Sequence, residues 1–138
     1  MKAVIYFTEV AQQYEHKNME HMIGEKLLEI GLESHYNITH SGKYVMCILA
    51  GQEVGIDVQQ HRKANYERML ERMVPQDMIR EILDADEPEK AFFTQWVLRE
   101  AYIKWTGEGL SRDLRTISLD EGSYILLDLG EDYSGAIW

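Results

Sequence analysis

The sequence is poor in cysteine and proline, and it has no long hydrophobic run. It contains one cysteine, Cys47, and two prolines among 138 residues. A single cysteine excludes a disulfide within the chain, and its place in the apolar run KYVMCIL indicates a small core residue. No apolar run approaches the roughly 20 residues of a membrane helix, and MKAVIYFTEV lacks a signal-peptide pattern. We therefore expect a cytoplasmic protein without a membrane partner.

Basic residues are also scarce. The chain has 14 Lys and Arg against 24 Asp and Glu, a net charge of −10 at pH 7. This balance argues against nucleic acid as a partner, because binding a phosphate backbone needs clustered Lys and Arg. An acidic ligand must therefore be bound by a local basic patch. Four basic residues that follow the Asp57 run could form one: Arg62, Lys63, Arg68 and Arg72. A solvated helix face is the alternative interpretation of these residues.

The composition is that of a globular protein, with 45% hydrophobic and 28% charged residues. A chain of 138 residues can enclose one core and is short for two domains. We expect a single domain, residues 1–138.

The first half of the chain predicts one strand, one helix and then three further strands. Lys2 to Thr8 is a short β-branched and aromatic run, and a three-four apolar spacing predicts a helix from about Val10 to Ile30. The runs SHYNIT, KYVMCILA and EVGIDVQQ follow, separated by predicted turns at residues 40–42 and 51–52. Such a series predicts an antiparallel meander.

The second half predicts helices first and strands afterwards. The helices run from Tyr66 to Met73, from Pro75 to about Leu83, and from Pro88 to about Trp105, and two glycines end the last one. The tail, LRTISLD, SYILLDL and GAIW, predicts two or three strands. Strands and helices in blocks rather than in strict alternation indicate an α+β fold.

Glu100 lies in an apolar stripe of the longest predicted helix. At about 100° per residue, five side chains fall within roughly 60° of it: Phe93, Trp96, Val97, Ile103 and Lys104. A buried carboxylate without a partner costs several kcal/mol. Either Lys104, four residues later, is its compensation, or a metal ion is.

The run EVGIDVQQ alternates apolar and polar residues. In a strand, Val54, Ile56 and Val58 would face the core, and Asp57 and Gln59 would share the opposite face. Two oxygen-bearing side chains at this spacing suit a hard cation, and a solvated strand face is the alternative.

The predicted turn at residues 40–42 follows Thr39 and includes His40 and Ser41. Hydroxyls, an imidazole and backbone N–H groups at a turn suit a phosphate, although an ordinary polar turn has the same composition.

Three blocks in this order, NITHSG, VGIDVQQ and WVLREAYIKWTGEGLS, resemble the signatures of the 4′-phosphopantetheinyl transferases. They are most similar to the longer type that activates peptide and polyketide synthetases, in a shortened form. The match covers about residues 36–120. The resemblance implies an α+β fold of two similar strand, helix and antiparallel meander halves, about 1–53 and 54–138, meeting at a cleft.

The resemblance also implies an activity. The family moves the phosphopantetheine arm of coenzyme A onto a serine of an apo acyl or peptidyl carrier protein and releases adenosine 3′,5′-bisphosphate. It works with Mg²⁺ in fatty acid, polyketide or nonribosomal peptide synthesis. The alternatives are a degenerate homologue that binds coenzyme A or a carrier protein without efficient transfer, and an unrelated α+β binding module. Both a monomer and a homo-oligomer are compatible with this reading.

By match to the family, Asp57 and Glu100 would hold Mg²⁺, with Gln59 at a third position where many relatives carry Glu. A neutral amide is the poorer ligand, so we expect a weaker metal site. Glu100 is also the candidate that accepts the proton of the serine hydroxyl.

Four residues would contact phosphate by the same match. Lys104 would contact the phosphates and assist the leaving group, and Thr39 and His40 would contact the nucleotide phosphates. Lys17, in a looser match, would reach the same nucleotide.

Overall fold

The first sheet is built from the beginning of the chain. A computed structural model describes residues 3–9, 21, 25 and 35–138. Strands β1 (Ala3–Glu9), β2 (His35–Ser41) and β3 (Tyr44–Ala50) form an antiparallel sheet in the order β1-β3-β2. The three strands agree with the sequence prediction. The helix predicted from about Val10 to Ile30 lies outside the described residues, apart from His21 and Glu25, whose side chains form an exposed ion pair at 3.0 Å.

The fourth strand does not continue this meander, and that prediction is wrong. Strand β4 (Ile56–Gln60) pairs with β6 (Tyr133–Ile137), which also pairs with β5 (Ile125–Leu127). The second sheet therefore has the order β4-β6-β5 and is antiparallel. The partner of β4 comes from a distant part of the chain, so local turn signals could not identify it.

The first turn also lies later than predicted. Ser41 pairs with Tyr44, which leaves Gly42 and Lys43 as a two-residue hairpin turn. Gly42 has φ +53°, in the region that hairpin turns of this length require. His40 and Ser41 are consequently strand residues, not turn residues.

Three helices follow β4, as the sequence predicts. They are α1 (Tyr66–Leu70), α2 (Gln76–Leu83) and α3 (Pro88–Thr106). Helix α1 is shorter than predicted, whereas α3 begins at the expected proline and ends before Gly107. None of the helices in the described part of the chain combines the length and apolar character needed to cross a bilayer.

The predicted strand LRTISLD is not a strand. It contains a 3₁₀ turn, Leu114–Thr116, and the side chain of Asp113 accepts the backbone N–H of Arg115 at 3.0 Å. The hydroxyl of Thr116 also donates to the backbone carbonyl of Asp113 at 2.7 Å. These local side-chain bonds offer the backbone an alternative to a strand ladder, which explains the wrong prediction.

The second sheet lies between the first sheet and helix α3. One face of β4 and β6 packs against the apolar face of β3 and forms a first hydrophobic core. The opposite face packs against α3 through Ala136 and Trp138 and forms a second one. Ile56 and Val58 are buried in the first of these cores, as the alternation predicts. Asp57, on the other face, is therefore directed toward α3.

Candidate active site

Asp57 is a buried carboxylate at the centre of the described site. Its residue is 9% exposed. Oδ1 lies 3.3 Å from Lys104 Nζ and 3.4 Å from the hydroxyl of Thr39. Oδ2 is buried and has no hydrogen-bond partner in the described structure. One oxygen of Asp57 is thus held by donors from the protein, and the other accepts no hydrogen bond from the described residues.

The surroundings of Asp57 raise its pKa. Burial is the largest cause, the charge of Lys104 opposes it, and the negative charge of Glu100 adds to it, so that the pKa rises from 3.8 to about 6. A cation placed between the two carboxylates would oppose both of the raising effects, because it stabilises the ionised forms.

Glu100 lies on the turn of α3 that faces β4 and is partly buried. Burial raises its pKa, and Lys104 lowers it. The structure therefore brings together the two acids that the sequence places 43 positions apart, from Asp57 to Glu100.

The hydrogen bonds of Lys104 go to β4 and β2, and not to Glu100. Lys104 was one of the two partners that the sequence left open for Glu100. Its ammonium donates to the carbonyl of Ile56 at 2.9 Å, to that of Ile38 at 3.4 Å, and to Asp57 Oδ1 at 3.3 Å. An ammonium has three donors, so all three have acceptors within the protein. Lys104 connects α3 to both sheets.

The predicted phosphate-binding residues occupy different environments. Thr39 is 4% exposed and bonds to Asp57 and to the backbone of Val58. His40 is exposed and, by strand alternation, is on the opposite face of β2. Thr39 belongs to the site around Asp57, His40 does not, and Lys17 lies outside the described residues.

The donor set fits Mg²⁺. Within residues 3–9, 21, 25 and 35–138, no group of three His, Cys, Asp or Glu side chains could hold a metal ion. Mg²⁺ commonly takes only one or two carboxylates and completes its shell with water and substrate oxygens. Asp57 Oδ2, without a partner, and Glu100 can supply these two. Gln59 is on the same strand face as Asp57, but its amide N–H₂ donates to the carbonyl of Gln60 at 3.0 Å.

Gly55 allows α3 to approach β4 this closely. A Cβ at this position would lie 2.1 Å from the carbonyl oxygen of Ala101 and 2.5 Å from the backbone nitrogen of Trp105. Such distances are sterically impossible without movement of the helix. The glycine of the VGIDVQQ block therefore determines how near Glu100 and Lys104 come to Asp57.

Sequence reasoning missed a second polar cluster on the same face of the sheet. His61 Nε2 and Ser134 Oγ lie 2.7 Å apart, and the imidazole ring stacks on Phe93 with centroids 4.9 Å apart. Glu89, in the first turn of α3, lies 3.7 Å from His61 Nδ1. Because these residues come from the position after β4, from β6 and from α3, no sequence spacing indicates the cluster. It contacts the first turns of α3 through Glu89 and Phe93.

The sequence also did not indicate that Arg99 is buried. It is 1% exposed, and its guanidinium donates to the backbone carbonyl and side chain of Gln95. Burial lowers its pKa to about 10. Helix α3 is thus buried on the side of Arg99 as well as on the side of Val97, whereas the sequence indicated burial only along the apolar stripe around Glu100.

Comparison with known proteins identifies the family. The profile of the 4′-phosphopantetheinyl transferase superfamily matches residues 53–137, which include β4, α3 and the four residues Asp57, Gln59, Glu100 and Lys104. The 4′-phosphopantetheinyl transferase Sfp of Bacillus subtilis is 30% identical over 107 residues, covering 74% of this chain and 47% of that protein.

Two cyanobacterial proteins show a similar likeness. A putative 4′-phosphopantetheinyl transferase of Synechocystis sp. is 33% identical over 90 residues, 62% of this chain and 37% of its own length. The 4′-phosphopantetheinyl transferase HetI of Nostoc sp. is 29% identical over 96 residues, 66% of this chain and 39% of its own length. The chain spans less than half the length of these three relatives. Because the profile covers more than half of the chain, the chain belongs to the 4′-phosphopantetheinyl transferase superfamily.

Proposed function

We propose that this protein transfers the 4′-phosphopantetheine arm of coenzyme A to a serine of an apo acyl or peptidyl carrier protein. Adenosine 3′,5′-bisphosphate is the second product. The observation that supports this most directly is the buried, unpartnered Oδ2 of Asp57 in the electrostatic range of Glu100. Two carboxylates that interact electrostatically, each in one of the sequence blocks that resemble the family's, suit a divalent cation that binds a pyrophosphate.

Asp57 and Glu100 are the residues that would hold Mg²⁺. When bound, the ion would neutralise the negative charge of the pyrophosphate. Gln59 is the third candidate: its amide N–H₂ donates to the carbonyl of Gln60, and its amide oxygen is the atom that would bind the ion. We therefore expect two carboxylate ligands and a comparatively weak site.

Glu100 is the proposed proton acceptor. In the reaction, a bond forms between the serine oxygen and phosphorus, and the bond from phosphorus to the adenosine bisphosphate oxygen breaks. The serine hydroxyl must lose its proton as it attacks. Burial raises the pKa of Glu100, which brings it toward the value that suits a general base near neutral pH.

Lys104 has a holding role in this proposal. Its ammonium already has acceptors on Ile38, Ile56 and Asp57, so a contact to phosphate requires that one of them be released. While these bonds persist, Lys104 keeps α3 against both sheets and keeps Oδ1 of Asp57 occupied. His40 and Lys17 remain predicted contacts of the nucleotide phosphates.

The proposal is tested by incubating the protein with coenzyme A, Mg²⁺ and a panel of apo carrier proteins. Mass spectrometry should detect the added phosphopantetheine arm on at least one carrier. Asp57→Ala and Glu100→Ala should abolish the gain, whereas Glu81→Ala, an exposed carboxylate of α2, should leave it unchanged. Calorimetric binding of coenzyme A without any mass increase across the panel would instead support a binding homologue without transfer.

A further inference from the structure

The two sheets are joined by side chains rather than by a backbone ladder. Three side chains of β2 accept backbone N–H groups of β4, and we call these bonds the seam. The three bonds are Ile56 N to Asn37 Oδ1 at 2.9 Å, Val58 N to Thr39 Oγ1 at 3.2 Å, and Gln60 N to Ser41 Oγ at 2.9 Å.

The seam follows from the hydrogen-bond pattern of β4. Gly55 and Trp138 exchange both backbone hydrogen bonds, so alternate residues of β4 beginning with Gly55 bond to β6. The N–H groups of the residues between them point to the other edge of the strand. Side chains on one face of β2 recur with the same period of two, so the two patterns stay in register.

The seam satisfies donors that would otherwise be buried and unpaired. Ile56 and Val58 are buried, and an unpaired backbone N–H in such a place carries the full cost of its desolvation. Each seam bond therefore holds β2 against β4 at one point. Asn37 and Thr39 are equivalent in this respect.

Thr39 differs from Asn37 because it has a second contact. A hydroxyl accepts through its lone pairs and donates one proton. Having accepted the N–H of Val58, Thr39 is free to donate to Asp57 Oδ1, which lies 3.4 Å away. The contacts of Asn37 in the described structure do not include Asp57.

Lys104 reaches the same oxygen from the other side. It bonds to the carbonyl of Ile38 on β2 and to that of Ile56 on β4, and it donates to Asp57 Oδ1. Oδ1 is thus held by a hydroxyl from β2 and an ammonium from α3. This leaves Oδ2 of Asp57 without a protein partner.

We propose that Thr39 is a positioning residue: its hydroxyl, held by the seam, occupies Asp57 Oδ1 and leaves Oδ2 to face the divalent cation. This inference rests on the proposed function, and it gives Thr39 a role in addition to the nucleotide contact that the sequence resemblance implies. In this role Thr39 acts through Asp57.

The test compares two variants that each remove one seam acceptor at nearly constant volume. Thr39→Val loses the seam bond and the bond to Asp57, whereas Asn37→Leu loses a seam bond alone. Three quantities are measured for each: the midpoint of urea unfolding, the affinity for Mg²⁺ with coenzyme A present, and kcat and KM for a carrier protein that accepts the arm.

Both variants should unfold at lower urea concentration than the wild type. Thr39→Val alone should weaken Mg²⁺ affinity about tenfold and lower kcat about tenfold, corresponding to the loss of one hydrogen bond to a charged group, with KM for the carrier nearly unchanged. Thr39→Ser should restore both values, because it keeps the hydroxyl. Should Thr39→Val fail to fold, Thr39→Cys, with its weak S–H donor, should show the same loss.

A purely structural role for Thr39 gives a different result. Thr39→Val would then match Asn37→Leu in Mg²⁺ affinity and kcat, and the inference would be overturned. Failure of Thr39→Ser to restore them would overturn it too. A wild-type protein that modifies no carrier but binds Mg²⁺ would refute the proposed function, and the affinities of the variants would then decide the role of Thr39. A wild-type protein that binds no Mg²⁺ would refute both.

Discussion

Lys104 pairs with Asp57, with Nζ and Oδ1 3.3 Å apart, although the residue one helical turn before it is an acid. Glu100 and Lys104 have the spacing of a local helical ion pair, yet the ammonium is bound by β4 and β2 instead. Lys104 still lowers the pKa of Glu100 through its charge, but burial of Glu100 has the larger effect and raises it. This relationship underlies the first three predictions.

Replacing Lys104 by Met should destabilise the fold by about 2 kcal/mol, because hydrogen bonds to charged groups contribute about 1.5–3 kcal/mol each and part of this is recovered by burial of the new side chain. Urea unfolding at pH 7 measures the change. Lys90→Met, at an exposed position of the same helix, should change the free energy of unfolding by less than about 0.5 kcal/mol. Equal effects of the two substitutions would contradict the connecting role of Lys104.

Stability should decrease as the pH rises through the titration of Asp57. Its pKa is raised from 3.8 to about 6 in the folded protein, and that of Glu100 is raised as well. Between these values the folded state binds more protons than the unfolded state, so the free energy of unfolding falls as pH rises. For Asp57 the loss is about 3 kcal/mol between about pH 4 and pH 6.

The measurement is urea unfolding across this pH range in the presence of a chelator. Other carboxylates titrate in the same window, so the informative quantity is the difference between the wild type and Asp57→Asn. That difference should shift in favour of the variant as the pH rises, and a shift in favour of the wild type would show that burial does not dominate at Asp57.

Magnesium should reverse this loss at neutral pH. A ligand that binds only the folded state at 100 times its Kd stabilises it by about 2.7 kcal/mol, which thermal unfolding with and without MgCl₂ would detect. Asp57→Asn and Glu100→Gln should lose the stabilisation, whereas Glu81→Gln should keep it. An equal rise in Tm for all four proteins would indicate a site elsewhere.

Gln59→Glu should strengthen the metal site. A third carboxylate on the same strand face as Asp57 adds negative charge near the cation, and a gain of about 1.4 kcal/mol corresponds to a tenfold lower Kd. Gln60→Glu adds the same charge on the other face of β4 and should change the Kd for Mg²⁺ much less. Calorimetric titration compares the two, and similar affinities would remove Gln59 from the site.

Gly55→Ala should be strongly destabilising, by about 3 kcal/mol, because the new Cβ would overlap the backbone of α3. Gly51→Ala is the control, since nothing lies within 4 Å of a Cβ there, and it should be nearly neutral. Circular dichroism during urea unfolding gives both values. The substitution at Gly55 should also weaken Mg²⁺ binding, because α3 must move away from β4.

The elements with strong local signals were predictable. Pro88 starts α3 and a glycine ends it, and the alternation around Asp57 indicated which side of β4 is buried. Residue types were misleading where side chains bond to the local backbone. Asp113 and Thr116 form such bonds and produce a 3₁₀ turn where the residue types predicted a strand. The pairing of β4 with β6 was also unpredictable, because nothing local distinguishes a third strand of one sheet from the first strand of another.

The sequence by itself indicated which residues we propose for the chemistry, since Asp57, Glu100 and Lys104 stand in blocks that resemble those of the family. It also determined that Glu100 would be partly buried, because its neighbours on the helix are apolar. Only the tertiary structure decided which partner each charge has. Lys104 bonds to Asp57 and to two backbone carbonyls, and Thr39 bonds to the same carboxylate. These groups meet because α3 packs closely on Gly55 and because the seam holds β2 against β4, and no spacing along the chain relates them.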